Sequence, residues 1–224
     1  MEKNLKAKRI SISIKPVKGI RVSIPNRESF ERAQEFVFQK ADWIRIHADK
    51  IQKHEEKITV YDHSRTFRTR YHTLSLEHHI KNNFDTQIAD GKIKVYYPAY
   101  RDITDSDVQA HIRNSMEEAY RFEAKEYLPQ RLEYFARKFG FCYHKVFIKN
   151  TRTRWGSCSH VNNINLSLHL MRLPEALCDY VILHELAHTV EKNHGPRFWA
   201  LLDRISGDAR GLDNQLKNFK IAIF

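Results

Sequence analysis

Between Val181 and Trp199 the chain reads VILHELAHTVEKNHGPRFW. Apolar residues dominate the first half, and three histidines and two glutamates interrupt the run. Val181, Ile182, Leu186, Ala187 and Val190 favour a helix packed into a core, and polar groups carried into a core need partners. His184 and His188 are four residues apart, so on a helix their imidazoles share one face and reach a common point. Glu185 stands beside the first of them. Few arrangements accommodate two buried imidazoles and a carboxylate at this spacing, and one is a metal ion with an activated water.

Two histidines do not complete such a site. Catalytic zinc takes three protein ligands and leaves a fourth position for water. Glu191 continues the helical face of His188 and is one candidate. His194 is the other, and the preferred one. It follows an expected helix break at Asn193, a residue type that adopts the left-handed conformation ending many helices. Gly195-Pro196 then opens a new element carrying Phe198, Trp199, Leu202 and Ile205. Glu185 would hold a zinc-bound water and take its proton. The competing explanation, a chance HExxH on the wet side of an amphipathic helix, fits poorly with so apolar a run.

The rest of the chain reads as alternating strands and helices. RISISIKPVKGIRVSIP places Ile10, Ile12, Ile14 and then Ile20, Val22, Ile24 at period two around Lys18-Gly19, as in a β-hairpin. From Ser29 a helical repeat follows through Phe30, Ala33, Val37, Ala41, Ile44 and Ala48, capped by Ser29 or Asn26. Alternation returns between Thr66 and Pro98 as a second strand pair, with a turn at Asp90-Gly91. A long helical stretch begins near Asp102, is kinked or divided at Pro129, and stops at Gly140. KVFIKN, RTRWGSCS and NINLSLHL read as three short strands, and Pro174 opens the histidine helix. No sequence repeat is evident. The fold class expected is α+β, with residues 1–100 as an N-terminal lobe and 101–224 as the catalytic domain.

In the strand before the histidine helix, Arg154 suits a carboxylate, a phosphate or a developing oxyanion. Gly156 permits close backbone approach, as at an edge strand that pairs with an extended peptide. Trp155 lines a pocket or packs in the core, core packing being the commoner fate. His160 and His169 are not assigned to the metal.

Net charge is +11, of which +6 falls on residues 1–60. A basic N-terminal region favours anionic partners such as nucleic acid or nucleotides. No apolar run approaches the ~18–20 residues of a membrane span. The opening MEKNLKAKRI lacks an apolar signal core, and the three cysteines lack close CxxC spacing, so a cytoplasmic location is expected.

RWGSCS, NINLSLHL, LPEALCDYVILHELAH and NHGPRFW together resemble the YgjP-like metallopeptidases, a bacterial family of metal-dependent hydrolases related to the SprT-like zinc proteases. The hairpin and FVFQKADWI resemble that family's front end. The resemblance implies a zincin-like core of antiparallel strands on the HExxH helix, behind an N-terminal hairpin and helix. It implies one zinc ion on His184, His188 and His194, with Glu185 as base and a peptide or protein as substrate. The interval from His184 to His194 equals that of metzincins, but Glu191 replaces their glycine, so their turn is not carried over. The function expected is a zinc-dependent hydrolase, a metallopeptidase using a glutamate-activated zinc-bound water. The alternatives are a metal-dependent nucleotide phosphoanhydride hydrolase, against which the missing GxxxxGK[ST] counts, and a DNA-associated SprT-like protease. A structural zinc module would close with a fourth protein ligand.

Overall fold

A computed structural model describes residues 1–15, 19–47 and 59–221. Two compact units divide the chain, Met1–Thr59 and Val60–Phe224. The turn expected at Lys18 and the helical continuation from Ala48 onward lie outside the described residues. Among the described residues no helix is long and apolar enough to cross a membrane.

The first unit holds strands β1 (Glu2–Asn4), β2 (Ser11–Lys15) and β3 (Gly19–Pro25) and helix α1 (Phe30–Gln39). The expected pair forms antiparallel, with Ile12 opposite Val22 and Ile14 opposite Ile20. β1 adds to β3 in parallel. Ser29 is the cap, its hydroxyl accepting from Arg32 N–H at 3.1 Å. Ala33 on α1 joins Val22 and Ile24 in a small core. The helix breaks at Lys40 and resumes over 41–47.

In the second unit, β4 (Thr73–His79), β5 (Asp85–Ala89) and β6 (Lys92–Pro98) form one sheet. The turn falls as expected: Asp90 and Gly91 both take positive φ, 51° and 69°, in a two-residue hairpin between β5 and β6. β4, however, runs parallel to β6, and β5 is a third strand that the weak alternation of DTQIA does not announce. Ile93, Val95 and Tyr97 form the buried face of β6 and share a core with Val108 and Ile112 of helix α2 (Ser106–Phe139).

Helix α2 spans 34 residues, about 50 Å. Pro129 does not divide it. The proline removes one ladder bond and crowds the preceding turn. Its neighbours Leu128 and Leu132 are fully buried, and their packing keeps the helix continuous. Gly140 ends it at φ 72°.

Strands β7 (Lys145–Lys149), β8 (Gly156–Cys158) and β9 (Asn163–Ser167) form the last sheet. It is mixed rather than antiparallel, since β7 pairs with β9 in parallel and only β8 runs antiparallel to it. A 3₁₀ turn (Leu168–Arg172) leads to α3 (Glu175–Ala187), α4 (Pro196–Ser206) and α5 (Ala209–Leu216). Each of the three sheets thus repeats one topology. A first strand pairs in parallel with the second strand of a following hairpin, and a helix comes next. The repeat lies in strand order and has no counterpart in residue identities.

Helix α3 is buried nearly all round by Leu177, Cys178, Tyr180, Val181, Ile182, Leu183, Leu186 and Ala187. Arg131 of α2 grips Asp179 through two bonds, Nε to Oδ1 at 2.7 Å and a terminal nitrogen to Oδ2 at 2.5 Å. Leu132→Ala, cutting a fully buried side chain, should lower unfolding free energy by about 2–5 kcal/mol in urea titrations. Phe122→Ala, on the exposed side of the same helix, should change it by less than about 0.5 kcal/mol. Equal effects would contradict the assigned core.

Candidate metal centre

Helix α3 ends sooner than its sequence pattern suggests. His188 is its C-cap, and N–H groups of Val190 and Glu191 both return to the Ala187 carbonyl. The break therefore falls five residues before Asn193, which has no positive φ. Two expectations change with it. Val190 leaves the buried face and is exposed. Glu191 no longer continues the helical face of His188, but its carbonyl accepts the His188 Nδ1–H at 3.0 Å. That bond selects the tautomer with a free lone pair on Nε2, the form a metal ligand needs.

Past the loop, Gly195 caps α4 and Pro196 starts it. His194 swings back toward α3. Its Nε2 lies 3.0 Å from that of His184 and 3.1 Å from that of His188. Among the described residues these three make the one group of three or more histidine, cysteine or acidic side chains with converging donor atoms, and the Glu191 carboxylate is not in it. A tetrahedral ion with metal–nitrogen bonds of about 2.0–2.1 Å spaces its nitrogens roughly 3.3 Å apart. The two separations from His194 match within a few tenths of an ångström, and all three donor atoms lie within 4.8 Å of one another.

The platform beneath the imidazoles is Phe198, a residue that sequence reasoning placed only as an apolar position of the next element. It is fully buried, and its ring centroid lies 4.9, 4.5 and 4.7 Å from those of His184, His188 and His194. Its spacing of four from His194 was the available signal. Burial lowers the pKa of His184 to about 4, with the other two imidazoles adding. Burial also lowers His188, against the hydrogen bond to Glu191. Both rings are neutral near pH 7, as ligation requires.

Glu185 is 5% exposed, and its Oε2 is buried without a hydrogen-bond partner. Burial pushes its carboxyl up to about 8, while the charge of Arg154 pulls it down. Leaving a buried carboxylate oxygen unpartnered is costly, and such an atom on the helix that carries two of three converging imidazoles fits a site that receives a cation. On the other side, Gly156 presses on the same side chain. A Cβ there would lie 2.6 Å from Glu185 Oε1. The close approach expected at Gly156 is thus made to the glutamate.

Arg154 is exposed, and its guanidinium has no hydrogen bond or ion pair among the described residues. Its loop is well anchored. Glu117 of α2 accepts from Asn150 at 2.6 Å and from Arg152 at 3.1 Å, and the Thr151 carbonyl accepts the Ser167 hydroxyl at 2.8 Å. His169 is fully buried and bonds Asn150 at 2.9 Å. Trp155 is half-buried against the core, and its carbonyl accepts the Ser167 N–H at 2.8 Å. Around the rim, Arg210 stacks on Trp199 at 3.5 Å, and Asp213 receives the Tyr180 hydroxyl at 3.4 Å.

A family model described as "YgjP-like, metallopeptidase domain" matches residues 8–219. No curated protein matches the chain significantly. Among solved structures, the metallopeptidase zymogen of Pyrococcus abyssi abylysin is similar at 22% identity and a TM-score of 0.36, over 41% of this chain and 93% of that one. The metallopeptidase zymogen of Methanocaldococcus jannaschii jannalysin is similar at 21% identity and 0.36, over 40% and 93%. Likeness at that level covers under half of this chain and carries no argument about function.

Elemental analysis of purified variants tests the ligand set. His194→Ala should lose bound metal and Glu191→Ala should keep it; the reverse pattern would move the third ligand to Glu191.

Proposed function

The chain belongs to the YgjP-like metallopeptidase family, and on that premise we propose that it is a zinc-dependent peptidase with a zincin-like core. His184, His188 and His194 hold one zinc ion, and Glu185 is the general base. The observation that carries this reading is the convergence of three imidazole Nε2 atoms, two of them from the helix that also buries a partnerless Glu185 carboxylate oxygen. Imidazole donors also suit other transition metals, and a mononuclear hydrolytic site favours zinc, which has no redox chemistry.

Zinc at such a site polarises a carbonyl and makes water a nucleophile near neutral pH. Glu185 accepts the proton of the attacking water at Oε2 and delivers it to the leaving amine. Its Oε1 side is wedged by Gly156, which limits the carboxylate to one orientation. Without a cation nearby burial keeps this group protonated at pH 7, and a cation favours its ionised, basic form.

β8 is an edge strand of its sheet and lies against α3, so an extended peptide laid along it passes the three histidines. Arg154, anchored by its loop and with no side-chain hydrogen bond or ion pair among the described residues, binds a substrate carboxylate or stabilises the oxyanion. Trp155 acts from beneath, as part of the packing that holds this segment. A phosphate would also satisfy Arg154, so nucleoside triphosphates belong beside peptides in the same assay series. Phosphate release without peptide cleavage would replace the peptidase reading.

Glu185→Gln keeps the side-chain shape and removes the base. It should retain zinc and lose about 10²–10⁴-fold in kcat; undiminished hydrolysis would sink the mechanism. Gly156→Ala should also retain zinc, yet lose on the order of 10²-fold in kcat because the methyl displaces the Glu185 carboxylate. An unchanged kcat would show that the close approach has no bearing on the base.

A further inference from the structure

The loop between the second and third histidines is weakly tied by its own backbone. After the Glu191 N–H returns to Ala187, the next backbone hydrogen bond is local, from Gly195 N–H to the Asn193 carbonyl at 2.7 Å. Neither β-sheet nor helix holds residues 192–194, yet His194 must arrive within about 3 Å of two other imidazoles.

The side chain of Lys192 crosses to the β8–β9 hairpin. Its ammonium donates to the Ser159 carbonyl at 3.2 Å and to Asn162 Oδ1, and lies 4.0 Å from Cys158 Sγ. Three donors meet three acceptors, the full capacity of a lysine. The receiving turn is itself closed by backbone hydrogen bonds. Ser159 N–H donates to the Asn163 carbonyl at 2.9 Å, and Asn162 N–H returns to the Ser159 carbonyl at 3.0 Å. Asn162 sits at φ 57°, in the left-handed region that asparagine tolerates. The imidazole contacts aside, the hydrogen bonds of residues 192–194 to another element run through Lys192 among the described residues.

We infer that Lys192 is a positioning residue of the metal centre, clamping the His194 loop onto the hairpin that also carries Gly156. The inference rests on the metal-site reading above. The clamp orders the loop before metal arrives, so binding does not have to meet that entropy cost. It also joins the third ligand to the strand that orients Glu185, so both halves of the site move as one body.

Electrostatics and positioning predict opposite signs here. Lys192 is a cation near a site for another cation, and its charge is felt at His188. By charge alone, removing it tightens metal binding. As a clamp, removing it weakens metal binding. The test titrates metal-free full-length protein with Zn²⁺ alone against a chromophoric chelator, and with Co²⁺ while reading its visible ligand-field bands. Lys192→Met should raise the Zn²⁺ dissociation constant about 10–100-fold, the usual loss when an outer support of a ligand is removed. Lys192→Arg should restore most of it. Asn162→Gly keeps the left-handed turn while deleting the acceptor, and should weaken binding in the same direction. This second variant decides the matter if Lys192→Met does not fold. Binding by either variant as tight as, or tighter than, wild type overturns the clamp. A wild type that binds no metal overturns the metal reading, and the clamp with it.

Discussion

Glu185 is carried into the core by a helix that is apolar on nearly every side, and one of its oxygens finds no protein partner there. That arrangement opposes folding unless the carboxyl is protonated or a cation lies close by. Much of the surrounding structure is organised about this condition. Helix α3 supplies the burial, Gly156 packs against the carboxylate, and the flanking His184 and His188 converge with His194. Phe198 touches all three rings at once, so α4 supplies the floor beneath the imidazoles, and His194 comes from the loop just before it.

Around this centre the second unit uses its polar groups as fasteners. Arg131 and Asp179 fix α3 to α2. Glu117 gathers Asn150 and Arg152, and through them the loop that presents Arg154. Glu123, the buried one of the three, accepts N–H groups from Arg70 and Tyr71 and the His72 ring, closing the turn ahead of β4. Each is a carboxylate satisfied by several donors, the condition under which a buried charge is tolerated. Glu185 is the exception, since its buried Oε2 has no hydrogen-bond partner among the described residues.

The legible parts of the fold were those with strong local signals. Ser29 capped its helix, Asp90-Gly91 made its two-residue turn, and Gly140 stopped a long helix at positive φ. Each depends on the conformational preference of one or two residues. β5 was missed because DTQIA has little apolar contrast, and the parallel pairing of β4 with β6 is a long-range choice that alternation cannot express. Pro129 was expected to kink or divide α2 and did not divide it, because the packing of Leu128 and Leu132 outweighs one lost backbone bond.

His184, Glu185 and His188 were readable because helical periodicity alone puts them on one face. Their sequence determined that a helix with two imidazoles and a carboxylate at this spacing was available, and the apolar residues between them determined that it would be buried. Whether Glu191 or His194 converges with the helical pair was not legible. α3 ends where Val190 and Glu191 N–H close locally on the Ala187 carbonyl, and the packing of Phe198 against the rings accompanies the return of His194. The meeting of Gly156 with Glu185, and of Lys192 with Ser159 and Asn162, likewise joins residues about 30 positions apart. Periodicity determines which face of an element a residue occupies; which faces meet is decided when the sheet and helices close on a common core.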